Sequence, residues 1–338
     1  MSSPTAIVVG AGGISGAWFP ALREEQVQVK AVVDLRLEAA QRRIEEFGLE
    51  AEASTDLKAM LRKHRPDFVV DLTVPEAHCQ VTCTALRAGC HVIGEKPMAS
   101  SMPEARRMVR TAERTGRLYM VSQSLRWEPE NWRIRQAIAS GAIGELTTVN
   151  CDFYIGAHFE GFRVEMASPL LLDMSIHHFD LVRFFTGKDA VAVYALEFNP
   201  KGSWYRGNAS AVCIFEMSDG VVFTYRGSWC SEGCHTPWVG NWRFIGTQGT
   251  LLYEQEREPW GEVVAGDTGF FRPLQRLELP EVSLPKRRMH GALCEMLEFL
   301  RTGKVPQTEC HDNIKSLAMV FSALESARRG KRVPVRVE

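Results

Sequence analysis

The sequence is short of several things, and each shortage removes a class of function. It lacks a charge bias: 40 Lys and Arg face 41 Asp and Glu, a formal net charge of −1. No electrostatic hold on nucleic acid or on an anionic membrane is therefore expected. It lacks any apolar run near the ~20 residues that span a bilayer. Its opening, Met1-Ser2-Ser3-Pro4-Thr5, lacks the basic start and apolar middle of a signal peptide. It lacks a disulfide framework, because nine cysteines spread over 338 residues are an odd number in a long chain. Internal repeats, low-complexity tracts and long linkers are missing too. A cytoplasmic globular protein is the expectation, and the length is a prior for two domains that each bury a core.

What is present changes character along the chain. In the first third, short apolar runs alternate with helical patterns, the sign of parallel βαβ units. Strands are expected at residues 6–9, 29–33, 68–72, 91–93 and 118–121. Between them the patterns predict a helix carrying Trp18, Phe19, Ala21 and Leu22, and one over 37–47 stopped by Gly48. A short helix capped by Asp56 follows, then helices over 78–88 and 103–115. This reads as a doubly wound, Rossmann-type domain over residues 1–122. From 123 to 338 the rhythm changes. Helices are expected at 130–139, 170–185, 290–300 and 312–329. Strands at 147–154, 191–198, 209–216, 221–229, 238–245 and 251–254 follow without helices between them, which implies a large, mostly antiparallel open sheet in an α+β domain.

Three motifs carry chemistry. Gly10-Ala11-Gly12-Gly13-Ile14-Ser15-Gly16 follows the first strand and opens a helix. A pyrophosphate needs close backbone approach and unengaged N–H groups at a helix N-terminus, and Gly10 and Gly12 stand where those demands fall. Ser15 occupies the third fingerprint position. Asp34 ends the second strand, where an acid bonds the ribose hydroxyls of NAD, and Arg36 lies two residues on. The bland alternative is an ordinary tight turn with a solvated aspartate. The second motif, Gly94-Glu95-Lys96-Pro97, ends a strand on the side where doubly wound sheets bind ligands. Lys96 there is placed to hydrogen-bond a substrate oxygen, against the alternative of a surface lysine before a turn proline. The third is Asp173-Met174-Ser175-Ile176-His177-His178-Phe179-Asp180. On a helix, Asp173, His177 and Asp180 share a face, and a carboxylate one turn from an imidazole orients it as a general base requires. No His-Glu-x-x-His accompanies it, and Cys230 with Cys234-His235 has no second cysteine pair, so no metal is expected.

Taken together these residues resemble the Gfo/Idh/MocA family of NAD(P)-dependent oxidoreductases. The resemblance runs through the glycine turn, Thr73-Val74-Pro75-Glu76-Ala77-His78, Glu95-Lys96-Pro97, Arg126 with Gly141-Ala142-Ile143-Gly144-Glu145, the 173–180 segment and the closing 312–330 helix. It implies Lys96, Asp173 and His177 as the catalytic group. It implies a cofactor site made from Gly10, Gly12, Gly13, Ile14, Ser15, Asp34, Arg36, Thr73, Pro75, His78, Glu95 and Lys96, taking NAD with NADP as an option. The implied reaction is hydride transfer at a carbinol carbon of a sugar, inositol or related polyol. Arg126, Trp127, His158, Arg163, Trp229, His235 and Trp238 are the candidate substrate contacts, since a sugar offers C–H faces to aromatics and hydroxyls to donors. Leu170-Leu171-Leu172 and Ser175 stand where the family usually has glycines, and that bulk is expected to reshape the substrate pocket. Two rival readings remain: a redox-neutral glycosidase that retains NAD, and a non-enzymatic NAD(P) sensor. An open apolar sheet face around 209–229 adds the expectation of a homodimer or homotetramer.

Overall fold

A computed structural model describes residues 3–255 and 257–338, and the chain clusters into two compact units. The first comprises Met1–Ser124 and Pro285–Ile314 with the last residue; the second comprises Leu125–Leu284 and Lys315–Val337.

In the first unit β1 (Thr5–Val9), α1 (Ser15–Glu24), β2 (Gln28–Val33), α2 (Leu37–Phe47), β3 (Glu52–Ser54) and α3 (Leu57–His64) alternate. They continue as β4 (Phe68–Asp71), α4 (Pro75–Arg87), β5 (His91–Gly94), α5 (Met102–Thr115) and β6 (Tyr119–Val121). The strands form one parallel sheet in the order β3-β2-β1-β4-β5-β6. Helices cover both faces, so Ala6, Ile7, Val8 and Phe68, Val69, Val70 are wholly buried, as apolar mid-sheet runs require. The helix stops follow the sequence signals: Gly48 and Gly116 sit in the left-handed region behind α2 and α5. Asp56 caps α3 by accepting from the Ala59 amide at 3.0 Å. The strand order reverses between β1 and β4, and there the loops after both strands open a crevice.

The second unit opens with α6 (Pro129–Ala139), β7 (Leu146–Tyr154), α7 (Phe162–Glu165) and α8 (Ser175–Thr186). Then come β8 (Ala190–Phe198), β9 (Ser210–Met217), β10 (Val222–Ser228), β11 (Asn241–Gly246), β12 (Gly249–Tyr253), β13 (Trp260–Val264) and β14 (Leu274–Leu277). The nine-stranded sheet runs β14-β13-β12-β11-β7-β10-β9-β8, with Val333–Pro334 (β15) at its other edge. Its pairs are antiparallel except β7 with β10, which run parallel. On one face α8 lays Phe179 and Phe185 against Phe215, Phe223, Trp242 and Phe244 in edge-to-face pairs. On the other face Val191, Tyr194, Leu196, Phe198, Val212, Ile214 and Val222 stay exposed.

Two helices complete the chain, α9 (Arg288–Thr302) and α10 (Cys310–Arg329). The domain reading differs here from the sequence expectation, which gave everything after 122 to one domain. Residues 285–314 belong to the first unit because α9 docks on the end of α1. His290 meets Glu25 at 2.7 Å and Lys286 pairs with Glu24. A second difference concerns the expected helix over 170–185. It is broken: Leu170–Met174 forms a π-helical turn, and α8 starts only at Ser175.

Candidate functional site

The cofactor side is built wholly within the first unit. Gly10 ends β1 at φ +99°, and a Cβ there would lie 2.6 Å from the Leu72 carbonyl oxygen at the end of β4, so only glycine fits. At Gly12 and Gly13, by contrast, a Cβ would meet nothing within 4 Å. The turn faces open space. Ser15 folds back, its Oγ donating to the Gly12 carbonyl at 2.7 Å, which explains a serine at the third fingerprint position. The amides of Gly12, Gly13 and Ile14 precede α1 and donate to no acceptor among the described residues. Asp34 accepts from the Ala11 amide at 2.8 Å and from the Arg36 amide at 3.0 Å, which fixes its carboxylate beside the turn. Gly10, Gly12, Asp34, Thr73 and Val74 line a cavity of about 550 Å³, a size suited to a nucleotide. Unengaged amides at a helix start, a glycine cradle and a ribose-side acid fit a dinucleotide.

Around that cavity the remaining cofactor-side residues divide. Thr73 donates through Oγ1 and its amide to Asp71 at 2.6 and 3.2 Å, and Pro75 occupies the first turn of α4. His78 is buried, its Nε2 2.9 Å from the Thr73 carbonyl and its Nδ1 3.0 Å from that of Pro97. It ties two loops together and presents no ring nitrogen to a ligand. Glu95 accepts from the Trp18 indole N–H at 2.8 Å and from the Lys96 amide at 3.3 Å. Burial holds its carboxyl above the usual range, with the Trp18 hydrogen bond acting against that. Lys96 stands next to it, half-buried, at the C-terminal end of β5.

The second unit carries the other motif. Asp173 lies in the π-helical turn, and its Oδ2 accepts from Arg163 Nε at 2.6 Å. Single π turns inside helices recur at functional sites, where the extra residue re-aims side chains. His177 follows in the first turn of α8, partly exposed, whereas His178 is wholly buried against Phe153, Tyr225 and Trp242. Asp180 does not share the role of the Asp173 face. It takes a bidentate hold from Arg126, Nε and Nη2 both at 2.7 Å, inside the core.

That pair corrects one expected substrate contact, because a guanidinium 4% exposed and bonded fork-to-fork to Asp180 is structural. Trp127 and Trp229 are likewise buried in the core. Leu170 and Leu171 also turn inward and are wholly buried, so of the three leucines only Leu172 is left half-exposed. Four expected contacts do gather at one surface. His158 stacks on Trp204 at 3.7 Å and meets Glu232 at 2.7 Å; His235 Nε2 accepts from the Gly156 amide at 3.2 Å. Phe159 lies 6.3 Å from the Trp238 ring and 5.0 Å beneath the Arg163 guanidinium. Phe159, Trp204 and Glu232 were not singled out from sequence; an aromatic every few residues in a loop was the available signal. Elsewhere, His, Cys and Glu side chains gather at Glu25–His290–Cys294 and at Glu309–Cys310–His311, where they bond one another.

Comparison with known proteins agrees with both halves. Residues 5–123 match the model of an oxidoreductase family with an NAD-binding Rossmann fold, and residues 131–252 match the GFO/IDH/MocA C-terminal domain. A D-apiose dehydrogenase of Paraburkholderia graminis is 27% identical, with 97% of this chain and 89% of that protein covered. A 1,5-anhydro-D-fructose reductase of Ensifer adhaerens is 26% identical, with 97% of each covered. The fold is shared with an Agrobacterium radiobacter oxidoreductase solved in complex with NAD+, L-tartaric acid and magnesium. Its TM-score is 0.87 at 22% identity, over 99% of both chains.

Proposed function

We propose a function from a plain premise: the chain belongs to the GFO/IDH/MocA family of oxidoreductases, with an NAD-binding Rossmann domain. The substrate is a sugar, an inositol or a related polyol, and the reaction interconverts a carbinol and a carbonyl. The observation that carries this reading is the pairing of Asp173 with Arg163 on a π turn directly ahead of a partly exposed His177. A sensor has no use for a proton relay.

The nicotinamide, when bound, accepts or gives the hydride. In the chain itself, the Gly12–Ile14 amides bind the pyrophosphate and Asp34 the ribose. His177 takes the hydroxyl proton at its imidazole, and Asp173 orients that ring while Arg163 holds Asp173. Lys96 hydrogen-bonds the same oxygen. General base action of this kind supplies roughly 10²–10⁴-fold. The aromatic shelf of Phe159, Trp204 and Trp238 receives the C–H face of the substrate, and His158, Glu232 and His235 lie beside it for hydroxyls. The D-apiose and 1,5-anhydro-D-fructose enzymes above act on compounds of this class, which supports the choice.

Nine free cysteines suit a reducing cytoplasm, and the exposed apolar strand face suits a homo-oligomer. The test of the function is a spectrophotometric screen of sugars, inositols and their keto forms with both nicotinamide cofactors. Net formation or loss of reduced cofactor is the expected result. Release of a free sugar from a glycoside with no net change in cofactor would make the protein the glycosidase instead.

A further inference from the structure

The glycine turn has two sides. Its amide side is open, while its carbonyl side is held by a residue from a different element. Arg43, on α2, donates from Nη2 to the Gly12 carbonyl at 3.0 Å and from Nε to the Ala11 carbonyl at 3.4 Å. Its remaining nitrogen, Nη1, pairs with Glu46 at 2.6 Å, and the side chain is only 16% exposed. On the other edge the Ala11 amide is taken by Asp34 at 2.8 Å and the Gly10 amide by the Val33 carbonyl at 2.8 Å. The Gly10 and Ala11 amides and the Ala11 and Gly12 carbonyls are thus held, the last also by Ser15, while the Gly12 amide donates to no acceptor among the described residues.

Two neighbouring glycines, at each of which a Cβ would meet nothing within 4 Å, are costly to order, since glycine loses more backbone freedom than any other residue. A planar fork bonded to consecutive carbonyls removes that freedom in a way a flexible single-point donor does not. It also sets a guanidinium, its charge partly balanced by Glu46, behind the peptide planes whose N–H groups face the opposite direction.

We propose that Arg43 is a positioning residue for the cofactor. It holds the carbonyls of Ala11 and Gly12 so that the amides across those two peptide planes, of Gly12 and Gly13, aim at a pyrophosphate, and its charge favours that anion. The inference rests on the dinucleotide reading of the cleft and adds to it a residue outside the fingerprint.

The test is fluorescence titration of the full-length protein with NADH, NADPH, ADP-ribose and adenosine. The proteins compared are the wild type, Arg43→Met, Arg43→Lys and Glu46→Gln, with thermal midpoints alongside. Arg43→Met should weaken NADH, NADPH and ADP-ribose alike by about tenfold at low salt, the size of one charged hydrogen-bonding group. Adenosine should bind within twofold of wild type, and added salt should narrow the gap. Arg43→Lys should recover only part of the loss, because one ammonium cannot span both carbonyls. Glu46→Gln should bind NADH at least as well as wild type. Equal weakening of adenosine would make Arg43 merely structural, and weakening confined to NADPH would make it a 2′-phosphate contact; either overturns the proposal. So does an Arg43→Met protein that binds NADH normally. A wild type that binds no NADH would instead remove the dinucleotide reading itself.

Discussion

Asp34 fixes one choice at the scale of a single carboxylate. With Ala11 and Arg36 amides holding it at the end of β2, a 2′-phosphate would bring nearly two negative charges to the same place. NADH should therefore bind more tightly than NADPH, with Arg36 moderating the difference, and tighter NADPH in parallel titrations would refute this role. Lys96 and His177 should matter to turnover far more than to cofactor binding. Lys96→Ala and His177→Ala should each lower kcat by roughly 10²-fold or more while NADH affinity stays within a few-fold. Asp173→Asn should fall between, since an amide can orient the ring but not balance its charge. If both groups act on one oxygen, the double variant loses less than the product of the single losses. Variants with normal kcat would move the chemistry elsewhere. At this scale the sequence was informative wherever a residue type has one use. Gly10 lies in the tight turn after β1, Asp34 beside that turn after β2, and Asp173 four residues ahead of His177. Arg126, Trp127 and Trp229 turn into the core, because an arginine or tryptophan serves a core pair and a sugar shelf equally well; for Arg126 the decision lies with Asp180, 54 residues away.

Among elements, α8 brings a testable burial. His178 lies wholly buried between Phe153, Tyr225 and Trp242, and desolvation pulls its pKa from 6.5 to about 3, the Trp238 carbonyl opposing weakly. Below 6.5 the unfolded chain binds a proton that the folded chain refuses, so stability is full above pH 6.5 and falls as pH drops toward 3. The slope this one group contributes approaches about 1.4 kcal/mol per pH unit. Urea unfolding at pH 7.5 and 5.5 should show the wild type losing more stability than His178→Phe; equal losses would place a protonated imidazole inside the fold. The helices over 37–47 and 312–329 were legible because apolar spacing and end signals agree. The π turn was not, since Leu170-Leu171-Leu172 continues a helical pattern without a break in sequence. The strands β13 and β14 were not legible for another reason: a half-buried strand and a largely exposed one at a sheet edge carry little of the alternation that reveals the inner ones.

For the whole molecule, the outer faces of β8, β9 and β10 present Val191, Tyr194, Leu196, Phe198, Val212, Ile214 and Val222 to solvent. Apolar patches of this kind mark interfaces. A dimer or tetramer is expected by light scattering at micromolar concentration, and Leu196→Glu with Val212→Glu should shift it toward monomer; a clean wild-type monomer would refute the interface. Two-domain organisation was readable from the change of rhythm near residue 122, but the return of residues 285–314 to the first unit was not. It depends on Glu24 and Glu25 meeting Lys286 and His290 more than 260 residues later, and no local pattern encodes such a meeting. The central claim is hydride transfer at a carbinol carbon. It is tested most directly by reducing a panel of keto sugars and inososes with NADH carrying deuterium on the transferred position and weighing the products. One deuterium bound to the new carbinol carbon, with the same labelled product formed roughly 10²-fold or more slowly by His177→Ala, is the predicted result. Product formed without deuterium, or none formed from any member of the panel while NADH binds, would contradict it.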